Sequence, residues 1–98
     1  MIRHTVAFRL VHPAGSAEEE AFLTEGRALL SAIGGVTDFV VSRQVGAKSP
    51  HRFQFAMSFA DQAAYDAYDA HPDHRRFVAT RWASEVEAFD ELDLVPYP

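Results

Sequence analysis

Hydrophobic and polar residues alternate along four stretches of the chain, as they do in strands that bury one face. The stretches run from Ile2 to Leu10, from Val36 to Val45, from His51 to Phe59 and from Phe89 to Val95. The first places its large apolar residues and one histidine at even positions, and the third has four bulky residues on one side. In the last, Leu92 and Leu94 alternate with acidic residues. We predict four strands, with a hairpin joining the second and third.

Apolar residues recur at helical spacing in two other segments. The first helix is predicted from about residue 17 to 33, because Ser16 and the glutamate three positions later form a capping box and a glycine pair follows the helix. The second begins after Asp61 and breaks at Pro72, whose ring clashes with the preceding turn. Proline suits a first helical position, so the helix restarts at once. Its buried stripe consists of Phe77, Val78 and Trp82.

The resulting order, βαββαβ, predicts a single α+β domain over residues 1–98. Its fold would be ferredoxin-like: a four-stranded antiparallel sheet with helices on one face. The other face would carry small, mildly polar side chains, including Thr5, Ala7, Ala56 and Ser58. Small side chains allow a second sheet to approach closely, so we predict a homodimer in which two sheets form a dimeric α+β barrel. A monomer with a solvated sheet face is the alternative.

Composition narrows the classes of function. The chain has no cysteine, which excludes a disulfide, a thiolate nucleophile and a cysteine-ligated metal. Its net charge is −5, and the nine lysines and arginines are scattered, which argues against nucleic-acid binding. The first residues lead directly into an alternating stretch, so we expect no signal peptide, no membrane contact and a cytoplasmic location. A small neutral or weakly charged ligand fits this composition.

Candidate chemistry concentrates around the helix break, in the stretch YDAHPDH from Tyr68 to His74. His74 is the natural general base, because imidazole both takes and gives a proton near neutral pH. Tyr68 carries a phenol that is a donor at neutral pH and could hold a carbonyl oxygen as negative charge develops on it. The structural alternatives are a histidine that bonds a backbone carbonyl and a tyrosine that packs on an apolar helix face.

Three further side chains could have either a functional or a structural role. His4 lies on the apolar face of the first strand, where a polar ring needs a partner, and that partner could be a ligand or a backbone group. Tyr65 fits core packing better than a pocket, and His71, directly before Pro72, fits a helix cap. A metal site built on His71, His74 and His4 is a weak alternative, because the two rings at the break need not converge. We expect no metal and no cofactor.

The chain resembles the stress-responsive A/B barrel (Dabb) family of the dimeric α+β barrel superfamily. The residues that carry the resemblance are IRHTVAFRL at the start, FQFAMSFADQAAYDAY from the third strand into its helix, and HPDHRRF after the break. The resemblance implies a homodimeric barrel, and in cyclases of this family a tyrosine and a histidine act together at positions matching Tyr68 and His74. Two departures from the cyclase pattern are Phe53, where histidine can stand, and Gly26, where a bulky residue lines the pocket. The pocket residues expected here are His4, Phe53, Phe55, Leu23 and Gly26.

Three functions follow from these observations and the resemblance. The first is a metal-free and cofactor-free catalyst, like a polyketide cyclase, acting on a small carbonyl or polyketide-like substrate with the His74 and Tyr68 pair. The second is a non-catalytic, stress-associated or ligand-binding oligomeric barrel. The third, from the wider superfamily, is a cofactor-less monooxygenase. A pocket that reaches both rings would distinguish catalysis from a purely oligomeric role.

Overall fold

The computed structural model describes all 98 residues and contains four strands and two helical regions. The strands are β1 (Ile2–Leu10), β2 (Thr37–Arg43), β3 (Phe53–Phe59) and β4 (Val86–Leu94). The helices are α1 (Ala17–Ser31), α2 (Gln62–Ala70), α3 (Pro72–Phe77) and the single turn α4 (Ala83–Glu85), with a π-helical segment, Val78–Trp82, between α3 and α4. No helix is long and apolar enough to cross a lipid bilayer. The predicted order is therefore confirmed, with the restarted second helix containing a π-helical turn that the sequence pattern did not predict.

The sheet has the strand order β2-β3-β1-β4, and every neighbouring pair is antiparallel. This arrangement confirms the predicted ferredoxin-like fold. Several boundaries differ from the prediction: β2 runs over Thr37–Arg43 rather than from Val36 to Val45, and α1 and β4 end one or two residues earlier than predicted. β3 begins at Phe53 rather than His51, and β4 begins at Val86 rather than Phe89, because the long strand β1 pairs with β4 up to Leu10.

Helix starts follow the predicted caps. Ser16 accepts a hydrogen bond from the backbone N–H of Glu19, and Asp61 does the same for Ala64 at 2.9 Å. The Glu19 carboxylate bonds the N–H of Gly15 rather than that of Ser16, so the capping box is displaced by one residue. At the break His71 has extended backbone geometry, and its Nδ1 accepts from the N–H of Asp73 at 3.1 Å. The prediction that His71 caps the restarted helix is confirmed.

The helices cover one face of the sheet and bury a core of large side chains. Helix α1 contributes Phe22 and Leu30, and α3 contributes Phe77. The strands contribute the even positions of β1 and the odd positions of β3, as alternation predicted; these residues include Val6, Phe8, Phe53, Phe55, Met57 and Phe59. Most of the rings pack edge-on or tilted against one another, so the core is rich in aromatic contacts.

The uncovered face of the sheet, which we call the outer face, includes apolar residues of β4. Leu92 pairs with Thr5 and Leu94 with Arg3, so these leucines share the outer face with the odd positions of β1. Their exposed fractions are 61% and 47%. The intervening Glu91 and Asp93 therefore face the helices. A strand whose leucines point away from the core is unusual for a chain whose outer face meets only water.

Candidate active site

A cavity of about 220 Å³ lies between the sheet and the helices. Nine of its thirteen lining residues are hydrophobic, which makes its interior largely apolar. The sheet contributes His4, Val6, Phe55, Met57, Phe89 and Glu91, and the helical regions contribute Leu30, Tyr68, Asp69, His74, Phe77, Val78 and Trp82. Both rings of the helix corner, and the histidine of β1, therefore reach one cavity.

Tyr68 and His74 lie against each other across the break at Pro72, with ring centroids 4.4 Å apart. Tyr68 is only 2% exposed, yet its hydroxyl makes no hydrogen bond within the protein. That hydroxyl is not enclosed by protein atoms, since the only fully buried side-chain polar atom without a partner is Nδ1 of His51. The phenol hydroxyl is thus available to a molecule in the cavity.

His74 is held by the end of the preceding helix. Its Nδ1 lies 3.2 Å from the backbone oxygen of Asp69, so Nδ1–H donates to that carbonyl and Nε2 carries the lone pair. Burial lowers the pKa of His74 below its ordinary value, and the nearby carbonyl and carboxylate of Asp69 only partly oppose this effect. The ring is therefore a neutral acceptor at neutral pH, and burial is the main cause.

Burial also acts on Tyr68. Together with the charges of Asp69 and Glu91, burial raises the pKa of the Tyr68 phenol well above its ordinary value. The hydroxyl therefore stays protonated at neutral pH and is a donor. A neutral imidazole and a protonated phenol are the two states that proton abstraction and oxygen binding require.

His4 has the partner that its buried position demands. Its side chain is 8% exposed, and Nδ1 lies 2.5 Å from Oδ1 of Asp93 on β4. The Tyr65 hydroxyl donates to the other oxygen of Asp93 at 3.0 Å and lies 3.1 Å from His4 Nδ1. A carboxylate only accepts, so Nδ1–H points at Asp93. The pair fixes both the orientation and the tautomer of a histidine that lines the cavity.

Comparison with known proteins identifies the family of this chain. Residues 2–95 match the stress responsive A/B barrel domain family, Dabb, over almost the whole chain. The chain belongs to the Dabb family. No curated protein is significantly similar to it in sequence.

Solved structures give the same fold. A Dabb family protein with a ferredoxin-like fold from Mesorhizobium loti is 52% identical, with a TM-score of 0.97 over 99% of this chain and 97% of that one. A dimeric ferredoxin-like protein of unknown function from Thermobifida fusca is 22% identical, with a TM-score of 0.78 over 97% of this chain and 90% of that one. A hydroxynitrile lyase from Passiflora edulis is 12% identical, with a TM-score of 0.84 over 98% of this chain and 93% of that one. The last two likenesses show the fold alone.

The cavity of this Dabb protein contains four of the seven predicted site residues: His4, Phe55, Tyr68 and His74. The other three lie elsewhere. Leu23 and Phe53 border a shallow groove between α1 and β2. Gly26 lies beneath two rings of the cavity wall, where an added Cβ would come within 3.1 Å of Phe55 and 3.2 Å of Phe77. This glycine lets α1 approach the sheet closely instead of enlarging the pocket.

Sequence reasoning missed the acidic residues of the site. Asp69 and Glu91 line the cavity, and Asp93 holds His4. The alternation of side chains along β4 could have indicated these residues, because Phe89, Glu91 and Asp93 are each two residues apart and must share one face of the strand. Leu92 and Leu94 indicated the opposite assignment, because apolar residues are expected on the buried face of a strand. No group of three or more His, Cys, Asp or Glu side chains is arranged to hold a metal ion.

Proposed function

We propose that this Dabb protein is a catalyst of proton transfer on a small carbonyl compound, with His74 as the general base and Tyr68 as the oxygen-binding donor. One observation carries the proposal: the Tyr68 residue is nearly buried, its hydroxyl has no partner in the protein, and it shares a cavity with His74. The hydroxyl is not enclosed by protein atoms, so it can donate to a molecule in the cavity. A substrate oxygen would supply the missing partner.

The proposed step balances without a cofactor. His74 Nε2 takes a proton from the carbon next to the substrate carbonyl, and the electron pair of that C–H bond moves toward the carbonyl oxygen held by Tyr68. The resulting imidazolium is stabilised by the carboxylate of Asp69, whose Oδ1 lies 4.0 Å from Nε2. Return of the proton to another atom gives tautomerisation, and attack of the carbanion on a second carbonyl of the same molecule gives an aldol-type cyclisation.

The size of the cavity limits the substrate. Pockets for drug-sized ligands usually hold about 300 Å³ or more, and this one holds about 220 Å³. We therefore propose a compound of roughly one ring rather than an extended polyketide chain. Small hydroxynitriles belong in the same test, because a hydroxynitrile lyase has this fold.

We also propose that two copies of the chain form a homodimer through the outer faces of their sheets. Its support is the exposed pair Leu92 and Leu94 beside small residues, and the dimeric ferredoxin-like protein of Thermobifida fusca has the same fold. An oligomeric barrel that binds ligands without catalysis is the second candidate, and the same exposed leucines favour it. The cofactor-less monooxygenase stays an untested alternative for the same cavity.

Solvent deuterium exchange tests the catalysis without knowledge of the product. Small ketones and aldehydes are incubated in D₂O, and proton NMR follows loss of the signal at the carbon next to the carbonyl; for hydroxynitriles, NMR follows the aldehyde released by cleavage. The native chain should accelerate exchange for at least one compound, and His74→Ala should lower that rate about 10² to 10⁴-fold. Tyr68→Phe should lose less, because only a donor is removed.

A matched control comes from the other histidine of the corner. His71→Asn removes an imidazole and keeps a good helix cap, so its exchange rate should equal that of the native chain. Equal rates for His74→Ala and the native chain would exclude catalysis by this pair. Binding of a compound without exchange would favour the ligand-binding barrel.

A further inference from the structure

The charges around the cavity have one sign. Asp69 and Glu91 are the charged residues among its thirteen lining residues, and no lysine or arginine lines it. Asp69 lies 4.0 Å from His74, whereas Glu91 has no hydrogen-bond or ion-pair partner in the protein. Glu91 lies on β4, opposite Val6 of β1, and its side chain is on the helix-facing side of the sheet. It is nevertheless exposed to solvent. An unpaired carboxylate therefore borders a largely apolar pocket.

Aromatic rings form much of the pocket interior. Phe55, Tyr68, Phe77, Trp82 and Phe89 line it, and Trp82 meets Phe89 edge-on with centroids 5.5 Å apart. The faces of such rings attract cations, most strongly in the case of tryptophan. Phe89 and Glu91 are two residues apart on β4, so the carboxylate and this aromatic wall share one side of the strand.

The negative charges of Asp69 and Glu91 affect the pKa values of two side chains that line the cavity. The charges of Asp69 and Glu91 contribute, after burial, to the raised pKa of Tyr68, and both also oppose the lowering of the pKa of His74. In return, burial lowers the pKa of His74 and so favours its neutral ring, and the ring of His4 is already paired with the carboxylate of Asp93. An anion that enters would meet repulsion without a compensating cation.

We propose that the cavity is selective for a small cationic ligand, an apolar amine protonated at neutral pH whose body lies among the aromatic rings and whose ammonium group lies beside Glu91. The inference rests on the proposed function in one respect, since it takes the same cavity as the ligand site. It goes further by assigning the charge of the ligand. It also excludes carboxylates and phosphates as good ligands. A substrate that carried this charge would also offset the negative charge that develops on its own oxygen.

Three probes of one shape test the charge directly: benzylamine, benzyl alcohol and benzoate. Each is one ring with a short polar group, and an apolar cavity of about 150 Å³ suffices for benzene. The single tryptophan of the chain lines the cavity, so its fluorescence reports binding. We expect benzylamine to bind about 3- to 20-fold more tightly than benzyl alcohol, from the carboxylate and the ring faces together. Benzoate should bind most weakly.

Glu91→Gln assigns the preference to one residue. This substitution should lower the affinity for benzylamine about two- to fivefold and leave the affinity for benzyl alcohol unchanged. Glu20→Gln is the matched control, since Glu20 is an exposed carboxylate of α1 that does not line the cavity. Raising the salt to about 1 M, where the screening length is ~3 Å, should reduce the preference for benzylamine in the native chain.

The outcomes separate the two proposals. Equal affinities for benzylamine and benzyl alcohol, or tighter binding of benzoate, would overturn the charge assignment and leave the cavity as a ligand site. An equal loss of benzylamine affinity in Glu91→Gln and Glu20→Gln would also overturn it. No fluorescence response to any probe would count against both the charge assignment and the cavity as a site for one-ring ligands.

Discussion

Two tyrosines of helix α2, three residues apart, should respond in opposite ways to loss of the hydroxyl. The Tyr65 hydroxyl donates to Asp93 at 3.0 Å and also contacts His4, whereas the Tyr68 hydroxyl has no protein partner. Tyr65→Phe removes a hydrogen bond to a charged group, typically worth about 1.5 to 3 kcal/mol. Asp93 is partly exposed, so we expect a loss of about 1 to 2 kcal/mol in the free energy of unfolding.

Tyr68→Phe should not destabilise the chain. It removes a polar atom that the fold leaves unpaired, so the free energy of unfolding should stay constant or rise by up to about 1 kcal/mol. Urea unfolding followed by circular dichroism measures both variants, and an unchanged dependence on denaturant shows that the unfolded states are comparable. The same variant should bind a carbonyl ligand more weakly, because the donor is gone.

The comparison can refute the reasoning. If Tyr68→Phe lost as much stability as Tyr65→Phe, the Tyr68 hydroxyl would be bonded within the fold, and its availability to a substrate would fail. If Tyr65→Phe cost nothing, the hydrogen bonds that orient His4 would be weaker than their geometry indicates. Either result is distinguishable from a general loss of packing, because both substitutions retain the ring.

Three further results are expected. Gly26→Ala should be destabilised by about 1 kcal/mol, because overpacking against two phenylalanine rings costs about 1 to 3 kcal/mol and exceeds the gain in helix propensity; Gly34→Ala, where a Cβ meets nothing within 4 Å, should be neutral. The pKa of the partly buried His74 is lowered by folding, so as pH falls below about 6.5 the imidazole gains its proton in the unfolded chain before it does so in the folded one. The free energy of unfolding should therefore decrease with falling pH until the lower folded pKa is passed, and His74→Gln should flatten that decrease in urea titrations. Leu92→Glu on the outer face should convert a dimer into a monomer in sedimentation, and no change in mass would exclude this face as the interface.

The fold was predictable from the sequence because each layer left a periodic signal. The even positions of β1 and the odd positions of β3 are apolar, and the breaks between elements carry their caps and glycines. The π-helical turn was not predictable, because Val78 and Trp82 also fit the spacing of an ordinary α-helix. Both side chains line the cavity, although Val78, predicted to be buried, is 38% exposed.

The candidate site was predictable only where its residues are close in sequence. Tyr68 and His74 belong to one helix corner, so a proline and two rings were enough to suggest them. Asp93 acts on a residue 89 positions earlier, and only the register between β1 and β4 reveals that His4 lies opposite it. Hydrophobicity alone gave no indication of this contact, since it favours burial of Leu92 and Leu94.

The register of strand β4 determines both which residues face the cavity and which residues lie on the outer face of the sheet. Its even-numbered leucines lie on the outer face, where the proposed homodimer would cover them, while Glu91 and Asp93 face the cavity and His4. A shift of the strand by one residue would exchange these faces and place carboxylates in the interface and leucines at the cavity. The pairing of Asp93 with His4 and Tyr65 opposes such a shift, because no other acidic residue would then reach Nδ1. The contact that orients the histidine is thus also a contact that keeps the apolar face directed at the proposed partner.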